Sequence, residues 1–270
     1  LYSFHRMFKS ILDSEKPTHV LVAWDAGKTT FRTEMYADYK GGRSKTPGEF
    51  IEQMPYFNVL LDAWGIPHYR LNQYEADDII GTLARKGEEA GYEVVVLSGD
   101  KDLIQLADNN ITVKITTKGV TELVEYTPEV IFEKYGLTPE QIIDMKGLMG
   151  DSSDNYPGVT KVGEKTAVKL LQEFGSVEGI YEHVDEMKKS KLKENLINDK
   201  ELAFLSKKLA RINVESPIEI TLEDTLRKEQ DVDALMSFYK EMNFNSFQTD
   251  LLNSGGATVE EAPKAERPTV

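Results

Sequence analysis

The sequence predicts an α/β fold: a mostly parallel, twisted sheet flanked by helices and followed by a helical domain. Two patterns predict it. Over residues 1–126, short apolar runs of strand length alternate with amphipathic helical segments, which is typical of a parallel sheet. From residue 127 onward, helical periodicities follow one another. We therefore expect an α/β core over 1–126, a helical domain over 127–250 and a linker or tail over 251–270, where the apolar periodicity is lost.

The α/β part opens with a helix and a buried strand. Apolar residues recur at helical spacing over 2–14, and residues 19–24 are apolar on both faces, which suits a buried parallel strand. Pro47 is a good first-turn residue for the next helix, which is expected to run to Trp64. Further strands are expected over 66–71, 93–97, 111–116 and 120–125, with helices over 75–90 and 102–108. The helices expected after them span 128–135, 139–149, 163–174, 177–184, 190–212 and 231–243.

Composition excludes several classes of protein. Cysteine is absent, which excludes disulfides, thiolate metal sites and a cysteine nucleophile. No apolar run approaches the ~18 residues of a membrane span, and no signal peptide opens the chain. The net charge of −14, from 32 basic and 46 acidic residues, argues against nucleic-acid binding unless acidic residues are gathered at a metal site.

Acidic residues follow the ends of the predicted strands or occupy glycine-rich turns. They are Asp25, Glu75, Asp77, Asp78, Asp100, Asp102, Asp151 and Asp154. Ligands of open α/β sheets bind outside the carboxyl ends of the strands, so most of these side chains should gather at one rim. Clustered carboxylates repel one another unless cations lie among them, and Mg²⁺ and Mn²⁺ prefer oxygen ligands. Two such ions are the usual apparatus for phosphodiester displacement.

Each acidic group also has an ordinary structural explanation. The acids of 75–78 could cap a helix and interact with its dipole, and Asp100 and Asp102 could cap a strand-to-helix turn. Asp25 could be a turn residue, and the acids of 151–154 could form an Asx turn. Their shared placement at strand ends and turns is what favours a metal site.

A glycine-rich turn and helix over 155–175 predict a helix–hairpin–helix element. Gly158 and Gly163 allow the backbone to approach a ligand closely. The amides at the start of the following helix carry its positive dipole end, which favours phosphate. Three side chains are candidate donors: Lys161, Lys165 and Thr166. Such a site holds the DNA backbone without reading bases. The alternative is a plain helical hairpin with glycine caps.

Residues 28–46 interleave basic and aromatic side chains and lack a core periodicity. Cations here, among them Arg32, Lys40 and Arg43, could steady a phosphate near the metal site. A tyrosine such as Tyr39 could stack on an unpaired base. The alternative is a solvated loop.

Together these stretches resemble the 5′-nuclease (flap endonuclease) superfamily, and within it the 5′→3′ exonuclease domains of bacterial DNA polymerases. The matching stretches are 22–27, 31–32, 39–43, 74–78, 98–102, 147–155, 157–159 and 163–167, in the family's order over about 1–250. The resemblance implies a PIN-like 5′-nuclease core and a helix–three-turn–helix motif in the helical domain. It also implies a metal-dependent 5′→3′ exonuclease and 5′-flap endonuclease that serves DNA replication and repair, including RNA primer removal and nick translation.

The resemblance also implies roles for individual residues. Two divalent ions, Mg²⁺ or Mn²⁺, would be held by the eight carboxylates, of which Asp25 and Asp100 would be catalytic. Lys40 and Arg43 would contact the scissile phosphate from a mobile arch over about 28–55. The duplex would be held by the hairpin, with a monovalent cation such as K⁺ bound there. The implied DNA contacts are Arg32, Tyr39, Lys40, Arg43, Gly158, Val159, Lys161, Gly163, Lys165 and Thr166.

The implied partners are 5′-flap, nicked or branched DNA, RNA primers on DNA, and a C-terminal polymerase part of the same polypeptide. A monomer in the bacterial cytoplasm, associated with the nucleoid and not with a membrane, is expected.

Two departures from the family matter. An Asp-Gly metal ligand in the family's first strand does not precede Leu1, and Lys161 stands where relatives commonly have glycine. The alternative functions are therefore a non-catalytic, structure-specific DNA-binding fragment and a nuclease without a polymerase.

Overall fold

The computed structural model describes residues 1–27, 29–41, 48–117, 122–254 and 268–269, with 48–53 and 268–269 described by their backbone alone. Helices and strands alternate in its first half. They are α1 (Tyr2–Glu15), β1 (His19–Val20), β2 (Val22–Trp24), α2 (Phe31–Met35), α3 (Gly48–Trp64), β3 (His68–Arg70), α4 (Ala76–Glu89), β4 (Val94–Ser98), a 3₁₀ helix (Lys101–Leu106), β5 (Ile111–Thr117) and β6 (Glu122–Tyr126).

Helices dominate the second half, as predicted. They are α5 (Pro128–Tyr135), α6 (Pro139–Met149), α7 (Glu164–Phe174), α8 (Val177–His183), α9 (Lys191–Asn198), α10 (Lys200–Ala210), α11 (Val232–Glu241) and α12 (Asn245–Asn253), with 3₁₀ turns at Val184–Glu186 and Glu223–Thr225. A short strand, β7 (Pro268–Thr269), follows. None of the described helices is long and apolar enough to cross a membrane.

The strands form two sheets. The larger has the order β1-β7-β4-β5-β6, in which only β6 is antiparallel to its neighbour, and β2 and β3 form a separate parallel pair. The mostly parallel α/β fold is therefore confirmed. The single strand predicted over 19–24 is wrong in detail, because Leu21 divides it between the sheets. Its side chain packs with Ile79 and Leu83 of α4.

One continuous core joins the sheet to the helical half. Val94, Val96 and Ile111 of the sheet belong to the same buried cluster as Leu148 of α6 and Leu171 of α7. This shared core joins α6, and with it the acidic turn over 151–154, to the sheet. A second core is built by α1, α3, α11 and α12.

The helical half differs from the prediction at two places. The helix expected over 190–212 is two helices, because the backbone turns at Asp199, whose carboxylate accepts hydrogen bonds from Thr160. Helix α12 was not predicted. It packs Phe247 and Leu251 into the second core and extends into the stretch expected to be a tail.

Candidate metal centre

Acidic side chains from four separate turns meet at one rim of the molecule. Asp25 follows β2, and its Oδ1 accepts a hydrogen bond from the amide of Ala76 at 2.7 Å, which joins the end of β2 to the start of α4. Asp77 lies in the first turn of α4, where the charges of Asp100, Glu75 and Asp25 all act on it. The strand-end placement predicted from the sequence is therefore what brings these residues together.

A second group of carboxylates lies beside the first. One carboxylate oxygen from each of Asp102, Asp151 and Asp154 lies within 4.8 Å of the others. The ammonium of Lys146, on α6, is 3.3 Å from Asp102 Oδ1 and 3.1 Å from Asp151 Oδ2. Asp100 connects the two groups, because its charge acts on both Asp77 and Asp102.

The pKa values of these carboxyl groups record an excess of negative charge. Burial and the neighbouring Asp100 raise the pKa of Asp102 to about 6, although Lys146 opposes the rise. Burial, followed by the charges of Asp100 and Glu75, raises the pKa of Asp77 well above its ordinary value. Asp151 behaves in the opposite way. Burial tends to raise its pKa, but hydrogen bonding from Ser153 and the charge of Lys146 hold it below its usual range.

Asp100 and Asp151 also perform the turn roles that the sequence offered as alternatives. Asp100 caps the 3₁₀ helix by accepting a hydrogen bond from the amide of Asp102 at 2.8 Å. Asp151 Oδ1 accepts from the amide and hydroxyl of Ser153 and from the amide of Asp154, which makes an Asx turn. Capping and rim formation are thus compatible, because each cap fixes a carboxylate in place.

Arg32 lies inside the protein and is 2% exposed. Its guanidinium donates to both oxygens of Asp78, at 2.7 and 2.8 Å, and to Glu75 Oε2 at 2.5 Å. It also donates to the carbonyl oxygens of Leu209 and Arg211 at the end of α10. The predicted DNA contact by Arg32 does not fit this placement, because all of these donors are used within the protein.

Asp78 is 0% exposed and its oxygens are occupied by protein donors. Besides Arg32, the amide of Asn213 donates to Oδ1 at 2.9 Å and the amide of Glu75 donates to Oδ2 at 3.1 Å. The predicted metal ligation by Asp78 therefore does not fit the structure either. Asp78 anchors α4 to the segment after α10.

Tyr39 and Lys40 reach Glu75 from the base of the predicted arch. Tyr39 is buried and its hydroxyl donates to Glu75, so the predicted stacking of Tyr39 on a DNA base does not fit its position. The ammonium of Lys40 pairs with Glu75 Oε1, and the Lys40 amide donates to Asp154 O at 2.7 Å. Although burial raises it, the pKa of Glu75 is held low by Arg32 and Lys40. The predicted contact by Arg43 lies outside the described residues.

Two residues of the site were not predicted. Lys146 bridges Asp102 and Asp151, and the signal available was its position five residues before Asp151, on the helix predicted over 139–149. Tyr156 is buried beside the rim, and the charges of Asp102 and Asp151 add to burial in raising its pKa. Its hydroxyl has no hydrogen-bond partner among the described residues.

The donor set fits hard divalent cations. All of the rim ligands are carboxylate oxygens, which Mg²⁺ and Mn²⁺ prefer. Among the described residues, the three cationic side chains of Arg32, Lys40 and Lys146 pair with this cluster of eight carboxylates. The raised pKa of Asp102 indicates a site that is incompletely neutralised by the protein itself.

The predicted hairpin lies between α6 and α7. Gly158, at φ +61°, is packed against backbone, because a Cβ there would lie 2.3 Å from Gly150 N. Val159 is buried and its amide donates to Leu148 O. The packing against α6 is sufficient to explain a glycine at position 158, so the predicted close approach of a ligand to Gly158 does not fit its buried position. Lys161 adopts φ 62°, the left-handed conformation that glycine favours.

The start of α7 is open. A Cβ at Gly163 would meet nothing within 4 Å, and Gly163 caps α7 without a side-chain hydrogen bond. Lys161 and Lys165 are exposed there and Thr166 is half-buried. The structure thus brings together the predicted phosphate-binding residues of the hairpin, with the exception of the two buried positions.

Two family models match consecutive parts of the chain. The 5′-3′ exonuclease N-terminal resolvase-like domain matches residues 1–136, and the 5′-3′ exonuclease C-terminal SAM fold matches residues 137–233. DNA polymerase I of Lactococcus lactis subsp. cremoris is 58% identical over 268 residues, covering 98% of this chain and 31% of the relative. DNA polymerase I of Bacillus subtilis is 55% identical over 246 residues, covering 91% and 28%. The chain thus spans less than a third of the length of these relatives.

Solved structures share the fold. T5 5′-exonuclease with bound divalent zinc ions has a TM-score of 0.64 and 25% identity, covering 93% of this chain and 90% of that one. The catalytic core of Rad2 in complex with DNA substrate has a TM-score of 0.64 and 17% identity, covering 93% and 83%. At the latter identity the likeness concerns the fold alone. Since both family models match, in consecutive order, the residues that build the rim and the hairpin, the chain belongs to the 5′-3′ exonuclease family.

Proposed function

We propose that this chain hydrolyses DNA phosphodiesters as a metal-dependent 5′→3′ exonuclease and 5′-flap endonuclease, within a longer DNA polymerase polypeptide. The observation that carries the proposal is that two clusters of carboxylates converge at one rim, with the Lys40 ammonium among them. Family membership and the greater length of the polymerase relatives support it. Action as a monomer in the bacterial cytoplasm, at the nucleoid, belongs to the same proposal.

Two divalent ions, Mg²⁺ or Mn²⁺, fit the rim. Asp102, Asp151 and Asp154 would hold one, and Asp25, Asp77 and Asp100 would hold the other, with Glu75 beside them. The zinc-bound T5 5′-exonuclease supports metal binding by this fold. When bound, such ions supply an activated water and neutralise charge on the phosphate.

The protein's own side chains would position the substrate. Lys40 is held at the rim by its backbone bond to Asp154, so its ammonium can exchange Glu75 for a phosphate oxygen. Lys161, Lys165, Thr166 and the open backbone at Gly163 would hold the phosphates of the duplex, with a K⁺ ion at the hairpin. A flap, nick or primer junction would then lie between hairpin and rim.

The test is cleavage of a 5′-labelled flap with and without Mg²⁺. We expect metal-dependent cutting near the junction. Asp100→Asn and Asp151→Asn should each abolish cutting while the circular dichroism spectrum is unchanged. Asp233→Asn, an exposed acid in the first turn of α11, is the matched control and should cut like the parent. Full activity in both rim variants would refute the carboxylate assignment.

Lys40 is tested separately. Lys40→Ala should lower the single-turnover rate at saturating protein by roughly 10²–10³-fold, the loss typical of one electrostatic contact to the reacting group. An unchanged rate would remove Lys40 from the proposed machinery. DNA binding without cutting by the parent chain would favour the structure-specific binding fragment instead.

A further inference from the structure

An open groove continues from the hairpin along α7. One wall is α7, with Lys165 and Lys169, and the other is the loop that joins α8 to α9, with Lys188. The floor contains apolar contacts from Leu170 and Leu192. The groove therefore begins where the proposed phosphate site of the hairpin ends, and it is lined by cations on both walls.

These lysines differ from the other well-placed cations of the protein. Lys146 and Lys207 are paired with carboxylates, as is Lys114. Within the described ranges, Lys165, Lys169 and Lys188 are exposed and form no ion pair. In a chain with a net charge of −14, three unpaired cations around one concave surface leave a local positive potential that an anion can use.

The loop that carries Lys188 is held in place. The ammonium of Lys193 donates to the carbonyl oxygens of Asp185 and Met187, each at 3.0 Å, and Ser190 caps α9. His183 stacks on Phe174 of α7, which joins the two walls. Lys188 is thus presented by a fixed wall rather than by a free tail.

The spacing along α7 matches a phosphate backbone. Lys165 and Lys169 are one turn apart, a separation of ~6 Å along the axis, which is close to two nucleotide steps of ~3.4 Å along one DNA strand. The row of lysines on α7 ends at Glu173, one further turn along. On the opposite wall, Glu186 contacts the ring of His183. The acidic residues therefore bound the cationic track at its far end.

We propose that this groove holds the sugar-phosphate backbone of a duplex arm of the substrate, as a continuation of the hairpin site. Lys169 and Lys188 contact phosphates that lie beyond those reached by Lys161 and Lys165. The inference rests on the proposed nuclease function and deepens it, because it assigns a second, sequence-independent contact to the arm away from the cut. Binding at the groove contributes affinity and not chemistry.

The experiment compares the full chain with the double variant Lys169→Ala/Lys188→Ala. Binding to fluorescent flap DNA is measured by anisotropy in Ca²⁺ over a range of salt concentrations. One substrate has duplex arms of about 20 base pairs and the other has arms of about 5, a length of ~17 Å. The control Lys86→Ala/Lys240→Ala removes the same charge from exposed lysines of α4 and α11.

For the long arms we expect roughly tenfold weaker binding and a salt slope smaller by about 2, one for each lost phosphate contact. On the short-armed substrate, the double alanine variant should bind as tightly as the parent. On the long-armed substrate, the control variant and Lys169→Arg/Lys188→Arg should bind as tightly as the parent. Single-turnover cleavage in Mg²⁺ at saturating protein should be unchanged.

An equal loss on long and short arms, or a salt slope equal to that of the control, would refute the groove while parent cleavage leaves the nuclease proposal intact. Failure of the parent to bind or cut flap DNA would refute both.

Discussion

Arg32 shows how one buried cation organises the candidate site. It joins α2 to Asp78 and Glu75 of α4 and to the carbonyl groups that end α10. Arg32→Ala would leave the buried carboxylate of Asp78 without its cation, and Glu75 with Lys40 alone. We expect a loss of about 3–5 kcal/mol in the free energy of unfolding, measured by urea denaturation.

The conservative variant separates charge from geometry. Arg32→Lys keeps the charge but cannot make the forked contact with Asp78, so we expect it to recover only part of the stability. Arg211→Ala removes an exposed arginine whose partner is Glu140 and should cost less than ~1 kcal/mol. A stable Arg32→Ala protein with weakened DNA binding would restore the DNA contact predicted from the sequence.

His5 gives the second core a dependence on pH. The ring is fully buried, stacks on Trp64, and bonds through Nε2 with the hydroxyl of Tyr239. Burial and the charge of Lys9 lower the pKa of His5 to about 4, against 6.5 when unfolded. Between these values the unfolded state binds more protons, so stability is complete above pH 6.5 and is lost as the pH falls toward 4.

The measurement is the difference in pH dependence between the parent and His5→Gln. The shift corresponds to up to ~3 kcal/mol between pH 6.5 and pH 4, at ~1.4 kcal/mol per pKa unit. Gln does not titrate, so its unfolding free energy should vary less with pH over this window. Parallel curves for the two proteins would contradict a neutral, buried His5. Carboxyl groups titrate in both proteins and cancel in the difference.

The positions of the rim residues could be predicted from the sequence more accurately than the role of each residue. Strand ends are visible in the sequence because the apolar runs stop there, so the positions of Asp25 and Asp100 followed from local pattern. Asp151 was placed by its glycine-rich turn instead. Spacing cannot say which acid meets a buried arginine 46 residues away, which is why Asp78 and Arg32 were given other roles. Lys146 was missed because its partners come from another element and a later turn.

At the scale of the element, two glycines of the hairpin have different roles. Packing requires a glycine at one position, and the other position is open to a ligand. Gly158 has φ +61° and no room for a Cβ, whereas Gly163 is open. Gly158→Ala should therefore lower the free energy of unfolding by at least about 1–3 kcal/mol, through backbone strain and overpacking. Gly163→Ala should leave unfolding nearly unchanged and weaken DNA binding, because the added methyl lies on the proposed phosphate surface.

Thermal melts measure the stability of both variants, and anisotropy titrations measure their DNA binding. Gly163→Ala is the matched control for stability. Gly158→Ala is the matched control for binding, once its DNA affinity is corrected for the fraction of folded protein. Weaker binding by a fully stable Gly158→Ala protein would return Gly158 to the DNA surface. Unchanged binding by Gly163→Ala would remove the α7 start from the phosphate site.

Element boundaries were predictable where local signals agreed with packing. Helices α5 and α6 begin at prolines after threonine caps, and both were placed from the sequence. Helix α12 has a weaker pattern and is stabilised by the aromatic cluster around Phe247, to which α1 and α3 contribute. That contribution is tertiary, so sequence spacing alone predicted no helix over 245–250 and a tail from 251 onward.

At the scale of the whole molecule, the excess of acidic residues should make the stability of the protein depend on bound metal. Part of the acid excess lies at the rim, where burial and the repulsion among Asp77, Asp100 and Asp102 raise the pKa values of Asp77 and Asp102. A divalent ion that binds the folded protein relieves this repulsion and stabilises it by mass action. A protein whose fold brings these acids together should thus be less stable when the metal is removed by a chelator.

We expect Mn²⁺ or Mg²⁺ at about 100 times its dissociation constant to raise the free energy of unfolding by ~2.7 kcal/mol over NaCl of equal ionic strength. The effect should shrink as the pH falls from 7 to 5, because protons compete at Asp102, whose pKa is about 6. Asp151→Asn/Asp154→Asn should lose the metal effect, whereas Asp233→Asn should keep it. Differential scanning calorimetry measures all three proteins. Equal stabilisation of the double variant would show that the ions bind elsewhere, and the rim would then need another explanation for its charge.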